Sequence, residues 1–172
     1  MALTLTQEHI ECMETHAAQT YPDEGCGLLV GTLDPQTEKK NLVKVALLDN
    51  AWASDIATEL AARGHRDSRA MTKGRRYWVD PKDLLAVQRQ AREDGLAIIG
   101  VYHSHPDAAA VPSECDRTLA WPTYSYIIVS VHNGTAVDLQ NWQLDSNHQF
   151  QPEPMKIAPA SAARDRMSLL SS

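Results

Sequence analysis

The segment LAIIGVY, residues 96–102, is a nearly continuous run of apolar residues, and the polar segment HSHP follows it at once. A run of this length without polar alternation is typical of a strand that is covered on both faces of a sheet. Covering both faces requires further layers of structure, most simply helices packed against the sheet. The run therefore favours an α/β domain in which this strand is central.

The remaining elements support the same architecture. In chain order they are a helix capped by Thr6, the strands CGLLVGT and NLVKVALLDN, a helix from Asp80 to Gly95, the apolar strand, a short helix SECDRTLAW, and a hairpin of SYIIVSV and AVDLQNWQL. Asp80 is a suitable N-cap, and Pro81 fits the first helical position, where its missing N–H costs nothing. The turn HNG joins the last two strands. The sequence predicts a single layered α/β domain with a mixed sheet flanked by helices.

Composition and charge narrow the classes to which this chain can belong. It has 172 residues, which is about one domain at roughly 100–200 residues per domain, and its net charge is −6. A general nucleic-acid-binding protein carries a basic surface, so the charge argues against nucleic acid as a partner. No run approaches the ~20 apolar residues of a membrane span, and the N-terminus lacks the features of a signal peptide. We therefore expect a soluble, cytoplasmic protein with no membrane partner.

The segment 51–76 shows the least regular alternation of apolar and polar residues in the chain. Its second part, residues 63–76, holds six Arg or Lys residues against one Asp. Such a run is typical of an exposed loop, and the alternative is a patch that meets an acidic partner surface. We predict one domain over residues 1–157 with an insertion at 51–76. The small and polar tail, 158–172, is predicted to be disordered.

Two histidines follow the apolar run directly. The side chains of His103 and His105 point to the same face of an extended chain, so both imidazoles can converge on one point. Pro106 then ends the strand because it has no N–H for the ladder. Asp116 lies eleven residues past His105, one turn into the predicted short helix. Two neutral imidazoles and a carboxylate match a catalytic zinc site, which has three protein ligands and keeps its fourth position for water.

Each of these features also has an ordinary structural explanation. A His-x-His pair is a weak signal by itself because most such pairs are simply solvated. Ser113 and Asp116 have the spacing of a capping box, although Asp is a poorer partner than Glu at the third position. The combination is what points to a metal site: a strand ended by Pro106, then a helix that starts after Pro112.

The motif H-[ST]-H-P…S-x-x-D, formed here by His103-Ser104-His105-Pro106 and by Ser113 with Asp116, resembles that of the JAMM (MPN+) metallopeptidases, the Mov34/PAD-1-like zinc isopeptidases. The resemblance covers about residues 20–150 with a gap in the middle, and it implies a bacterial single-domain type with a curved sheet and a cytidine-deaminase-like fold. The family also requires a glutamate between the first helix and a glycine-containing strand. Glu24, in YPDEGCGLLVG, stands at that place.

The resemblance implies a role for each site residue. The implied zinc ligands are His103, His105 and Asp116. Glu24, rather than its neighbour Asp23, would be the general base that takes the proton of the attacking water and passes it to the leaving amine. Ser113 would donate a hydrogen bond to the tetrahedral oxyanion. Ser104 is expected to be structural and to bond nearby backbone.

Two of the three cysteines are expected near this site. Cys26 is two residues past Glu24, and Cys115 is next to Asp116. They could form a disulfide, but a cytosolic setting favours free thiols.

Three other classes compete with the hydrolase interpretation. A zinc deaminase needs H-x-E and P-C-x-x-C, whereas this chain has His105 at the third position and Ser113 after its proline. A catalytically silent MPN-type scaffold or binding module would have lost ligands, whereas all five positions are intact here. A DNA-repair-associated relative resembles H-N-H-P, and both Ser104 and the acidic charge point away from it.

The resemblance also implies a substrate. Small single-domain relatives act at the C-terminus of ubiquitin-like sulfur-carrier proteins, on a peptide or isopeptide bond after a terminal diglycine. Two glycines form a thin tail that can lie beside a strand edge and reach a recessed metal. The insertion, with Arg75 and Arg76 nearest to the cleft, is expected to help dock this partner. A peptidase for small peptides and a homodimer both remain open.

Overall fold

The structure is a computed structural model that describes residues 2–64, 72–74 and 76–159. Within these ranges the chain forms eight strands: β1 (Ala2–Thr6), β2 (Cys26–Leu33), β3 (Lys39–Leu48), β4 (Ala97–Pro106), β5 (Ser125–His132), β6 (Thr135–Leu144), β7 (Phe150–Pro152) and β8 (Met155–Ala158). The described helices are α1 (Gln7–Thr20), α2 (Ser54–Ala62), α3 (Pro81–Glu93) and α4 (Glu114–Leu119).

All eight strands belong to one mixed sheet, with the order β7-β6-β5-β4-β2-β3-β1-β8. The apolar run forms β4, which is central and pairs antiparallel with β2 and parallel with β5. Helix α1 packs against β3, β5 and β6, and helix α3 packs against β4 and β2. The predicted α/β architecture, with a mixed sheet flanked by helices, is confirmed.

The sheet is strongly curled. Strands β7 and β8 lie at opposite ends of the strand order, yet only two residues, Glu153 and Pro154, separate them in the chain. The N–H of Glu153 donates to the carbonyl of Asn141 on β6, and the carbonyl of Pro154 accepts from the N–H of Leu3 on β1. The two edges of the sheet therefore meet at this short connection.

The main core cluster packs α1 against the sheet. Thr6 caps α1 as predicted: its side chain accepts from the N–H of His9, and the His9 side chain accepts from the N–H of Thr6. The apolar face of α1 then buries Met13 and Ala17. A bulge in β4, where Leu29 pairs with Gly100 and Val30 pairs with Ile98, leaves Ile99 as an extra residue. The bulge brings Ile99 into the core cluster that also contains the Tyr102 side chain.

The hairpin of β5 and β6 forms as predicted. His132 pairs with Thr135, which leaves a two-residue turn of Asn133 and Gly134. Both turn residues have positive φ, 49° and 81°, which is the conformation of a type I′ turn and explains the Asn-Gly pair.

The insertion contains helix α2 within the segment SDIATELAARG, whose sequence allows a short helix, and its residues 65–71 and 75 lie outside the described residues. Strand β8 ends at Ala158, so the predicted start of the disordered tail is at least one residue early, and residues 160–172 lie outside the described residues. The apolar side chains of α3 are only partly covered, since Leu84 and Leu85 stay 38% and 45% exposed.

The described helices include none with the length and hydrophobicity that crossing a membrane requires.

Candidate active site

The histidines of the motif lie side by side at the end of β4. His103 is fully buried and His105 is 8% exposed. Because they are two residues apart on a strand, their rings share one face of the sheet, and their Nε2 atoms lie 3.2 Å apart. Strand β4 ends at Pro106, as predicted.

Helix α4 brings the carboxylate to the two rings. Ser113 is its N-cap: its Oγ accepts from the Asp116 N–H (3.1 Å), while Asp116 Oδ2 accepts from the Ser113 N–H (2.7 Å). The capping box that explained this segment structurally is therefore present, and it orients Asp116. Asp116 Oδ1 lies 3.4 Å from His103 Nε2, and Oδ2 lies 3.5 Å from His105 Nε2. One side chain thus caps the helix and faces both imidazoles.

The three side chains fit a small tetrahedral cation. His103, His105 and Asp116 could hold a metal ion, and their ligand atoms all lie within 4.8 Å of one another. Two atoms that bind zinc at ~2.0–2.1 Å in tetrahedral geometry lie about 3.3–3.4 Å apart. The measured separations of 3.2, 3.4 and 3.5 Å are close to that value.

The loop that follows β4, residues 108–110, orients His105. Its Nδ1 lies 2.8 Å from the Ala109 carbonyl, so Nδ1 carries the proton and Nε2 presents its lone pair to the site. The two neighbouring carbonyls are held as well: that of Ala108 accepts from the Ser130 hydroxyl (2.6 Å), and that of Ala110 accepts from the Trp142 indole N–H (3.0 Å). Three successive carbonyls are therefore fixed, and the middle one sets the tautomer of His105.

His103 is held by packing. Its ring stacks on Tyr77 with a centroid separation of 4.6 Å and an interplanar angle of 23°. Its buried Nδ1 has no hydrogen-bond partner within the described part of the chain. Burial lowers the pKa of His103, which favours the neutral ring that a metal ligand must be. Burial acts to raise the pKa of Asp116, but the charge and hydrogen bonds of the histidines hold that pKa well below its usual range.

Glu24 reaches the histidines because the chain before β2 continues its antiparallel pairing with β4. The Gly25 N–H donates to Ser104 Oγ (2.7 Å), and the Ser104 N–H donates to the Gly25 carbonyl (2.9 Å). Extending this register by one residue places Glu24 opposite His105. A Cβ at Gly25 would lie 2.6 Å from Thr20 Oγ1, so any side chain there would force Thr20 to shift. The expectation that Ser104 bonds nearby backbone is confirmed.

Glu24 is a buried carboxyl group, only 6% exposed. Burial raises its pKa to about 8. A protonated His105 would oppose this rise in the pKa of Glu24, and the negative charge of Asp116 adds to it. The structure thus brings Glu24 beside the histidines and the carboxylate, whereas its neighbour Asp23 is exposed.

The cysteines of this region carry thiols. Cys12, Cys26 and Cys115 all lie among the described residues, and they form no disulfide bond there. Cys26 is buried beside the Asp49 carbonyl, and burial raises the pKa of its thiol to about 12. Cys115 faces the same cleft as Asp116.

The site opens into a cleft of about 440 Å³. Glu24 and Asp116 lie on its wall, and most of the remaining wall is apolar. Three of the four tryptophans of the chain and three of its five tyrosines line it: Trp52, Trp78, Trp121, Tyr77, Tyr124 and Tyr126. Arg76, at the end of the basic insertion, also lines it, whereas Arg75 lies outside the described residues.

Sequence reasoning missed the role of Asn50, which joins the wall of the cleft to Glu24. Its Nδ2 donates to the carbonyls of Glu24 (3.0 Å) and Arg76 (2.9 Å). Its Oδ1 accepts from the N–H groups of Trp52 (3.0 Å) and Trp78 (3.1 Å). The available signal was an Asn at the end of the predicted strand NLVKVALLDN, since Asn side chains satisfy backbone groups where a strand gives way to a turn.

Comparison with known proteins agrees with this geometry. The Prok-JAB family, described as prokaryotic homologs of the JAB domain, matches residues 6–145. A desampylase from Haloferax volcanii is 31% identical over 115 residues, which are 66% of this chain and 67% of that protein. A CysO-cysteine peptidase from Mycobacterium tuberculosis is 24% identical over 143 residues, 83% of this chain and 82% of that protein.

A solved structure extends the likeness to the fold. The solution structure of a Desulfitobacterium hafniense protein is 25% identical to this chain and has a TM-score of 0.68. The match covers 95% of this chain and 98% of that protein. With the family match over residues 6–145 and the convergence of the motif residues, the conclusion is that this chain belongs to the Prok-JAB family, the prokaryotic homologs of the JAB domain.

Proposed function

We propose that this chain is a zinc-dependent hydrolase that cleaves the peptide or isopeptide bond after the C-terminal diglycine of a ubiquitin-like or sulfur-carrier protein. The observation that carries the proposal is the convergence of two imidazoles and a carboxylate beside buried Glu24, at one end of an aromatic cleft. The names of the relatives, desampylase and CysO-cysteine peptidase, support this class of substrate.

In this proposal His103, His105 and Asp116 hold the ion. Two nitrogen ligands and one oxygen ligand are one of the sets that catalytic zinc sites use, and the two imidazoles favour zinc over harder cations. When bound, zinc supplies a Lewis acid that lowers the pKa of water towards ~7. The Ala109 carbonyl contributes by keeping the lone pair of His105 directed at the site.

Glu24 moves the proton. The carboxylate takes a proton from the attacking water, whose oxygen joins the carbonyl carbon, and it delivers that proton to the amine nitrogen as the C–N bond breaks. Burial acts to raise the pKa of Glu24, which makes its carboxylate a stronger proton acceptor than a solvated one. Ser113 Oγ accepts from the Asp116 N–H, which leaves its own O–H to donate to the oxyanion.

The cleft supports a thin, extended substrate. A diglycine has no side chains, so it can pass close to the buried histidines, while the residues before it lie on the aromatic wall. The aromatic side chains supply large contact areas at a small cost in conformational entropy.

The test is elemental analysis of the purified chain together with a cleavage assay. The substrate is a diglycine-terminated carrier protein extended by one amino acid, and mass spectrometry follows its release. We expect about one zinc ion per chain and cleavage that a chelator abolishes and added zinc restores. Absence of cleavage by the zinc-loaded protein would favour a silent scaffold. Equal cleavage of the carrier and of unrelated short peptides would favour a small-peptide peptidase.

Replacing Asn50 by Ala tests whether the rate of cleavage depends on the position of Glu24. The change removes the donor that fixes the Glu24 carbonyl, while the metal ligands stay on β4 and α4. We expect kcat to fall by about 10- to 100-fold with the zinc content unchanged, because moving a catalytic group by ~1 Å can lower the rate of the chemical step by up to about 100-fold. Asn147→Ala, on an exposed turn, is the control. A normal kcat in Asn50→Ala would exclude this positioning role.

A further inference from the structure

The loop that orients His105 consists of three alanines, residues 108–110. Alanine has no polar side-chain atom, so this loop acts on the imidazole only through its backbone. The Ala109 carbonyl does so at 2.8 Å from His105 Nδ1, and it also accepts from the N–H of Val111 (2.8 Å). Ala108 and Ala109 are exposed, so packing does little to hold them. The groups that bind the neighbouring carbonyls must therefore fix the position of the Ala109 carbonyl.

Two side chains from the neighbouring strands bind these carbonyls. Ser130 on β5 pairs with His105 across the parallel β4–β5 ladder, and it is only 2% exposed. Its hydroxyl donates to the carbonyl before Ala109, and the indole N–H of Trp142 on β6 donates to the carbonyl after it, at 2.6 and 3.0 Å. Trp142 is also the one tryptophan that is not among the described residues lining the cleft. Both donors therefore act on the loop from behind the site.

The residue before the loop is anchored to the same hairpin. The N–H of Asp107 donates to the Val131 carbonyl on β5 (2.6 Å), and its Oδ1 accepts from the N–H of Asn133 in the turn (3.0 Å). Its Oδ2 accepts from the Tyr21 hydroxyl (2.6 Å). The β5–β6 hairpin thus holds the loop at its start, at its first carbonyl and at its last. Because the hairpin belongs to the continuous sheet, the Ala109 carbonyl has a fixed position relative to β4.

We propose that Ser130 and Trp142 are positioning residues of the metal site, an inference that rests on the proposed zinc site. By fixing the carbonyls on both sides of Ala109, they keep the proton of His105 on Nδ1 and its Nε2 lone pair directed at the ion. Neither residue is among the three that could hold the metal, so both act through His105. Outer partners of a metal ligand of this kind set its orientation and tautomer, and losing one lowers metal affinity by roughly 10- to 100-fold.

The first readout is the affinity of the full chain for zinc, measured by competition with a chelator. Trp142→Phe keeps an aromatic ring and removes only the indole donor, and Ser130→Ala removes only the hydroxyl. We expect the Kd for zinc to rise about 10-fold in each variant and up to about 100-fold in the double variant. Thr37→Ala removes a hydroxyl that donates to Asp34 in an exposed turn, and it should leave the Kd unchanged.

The second readout is the tautomer of His105 in the metal-free protein, from long-range proton–nitrogen NMR correlations at a pH where the imidazoles are neutral. The unmodified protein should carry the proton on Nδ1 alone, and the two single variants and the double variant should show a mixture of Nδ1–H and Nε2–H. His148→Ala is the matched control. It removes a donor to the Arg117 carbonyl (2.9 Å), which lies next to Asp116, and it should leave the tautomer of His105 unchanged.

The two readouts separate this inference from the hydrolase proposal, since neither needs turnover. An unchanged Kd and an unchanged tautomer in the variants of Ser130 and Trp142 would overturn the inference and leave the hydrolase proposal intact. A raised Kd with the proton of His105 still on Nδ1 alone would also overturn it, because the loss would then come from a general loosening of the fold. If the zinc-loaded unmodified protein cleaves no carrier conjugate, the hydrolase proposal fails, and both readouts still decide the positioning role.

Discussion

Glu24→Gln is expected to lower kcat by about 10³-fold while the protein still binds one zinc ion per chain. A positioned general base contributes roughly 10²- to 10⁴-fold, and a carboxamide of the same shape cannot accept and return a proton. Glu24 is not among the residues whose ligand atoms converge on a common point, so its loss should leave the metal site intact. The measurements are single-turnover cleavage of the diglycine conjugate and elemental analysis.

Two variants control this experiment. Asp23→Asn removes the neighbouring exposed carboxylate and should change kcat by less than about twofold. His103→Ala removes a ligand of the proposed ion and should lose both zinc and turnover. Near-normal turnover in Glu24→Gln would remove the base assignment, and loss of zinc in that variant would make Glu24 a ligand instead.

Lys40→Met is expected to lower the free energy of unfolding by about 3–5 kcal/mol, since removing one partner of a buried ion pair leaves an uncompensated charge. Both side chains of the Lys40–Glu153 pair are at most 1% exposed, and Nζ lies 3.1 Å from Oε1. Ser125 and Asn141 donate to the other oxygen of Glu153, at 2.5 and 2.9 Å. The network joins β3, β5 and β6 to the connection where the two edges of the sheet meet.

Thermal unfolding of the metal-free protein measures this effect. At roughly 2–4 °C per kcal/mol for a chain of this size, Lys40→Met should lower Tm by about 6–20 °C. Lys40→Met combined with Glu153→Gln should recover part of the loss, because no buried charge then remains. Arg63→Met, which breaks an exposed pair with Glu59, should change stability by less than ~0.5 kcal/mol. Equal Tm values for Lys40→Met and Arg63→Met would contradict the structural role of the network.

The parts of the fold that local sequence determines were predictable. Thr6 has the chemistry of an N-cap, the run before His103 is apolar on both faces, and the Asn133-Gly134 pair fits a two-residue turn. The candidate site was predictable for a related reason. Two histidines at strand spacing share a face, and the helix cap that fixes Asp116 is itself a short-range motif.

The parts that long-range pairing determines were not predictable. Strands β7 and β8 have three and four residues, too few for a periodic pattern, and they form because β6 and β1 offer open edges. Lys40 follows another lysine in a partly alternating strand, and only the curl of the sheet makes it the buried member of that pair. The role of Asn50 depends on a segment more than twenty residues away.

The central claim is that His103, His105 and Asp116 hold one metal ion beside Glu24. Anomalous scattering at the zinc absorption edge, from a crystal grown with zinc, tests it most directly. The account predicts one strong anomalous peak within ~2.0–2.2 Å of His103 Nε2, His105 Nε2 and an Asp116 oxygen, with Glu24 facing the peak without ligating it. A peak elsewhere with the two imidazoles turned apart, or Glu24 on the far side of the molecule, would contradict it.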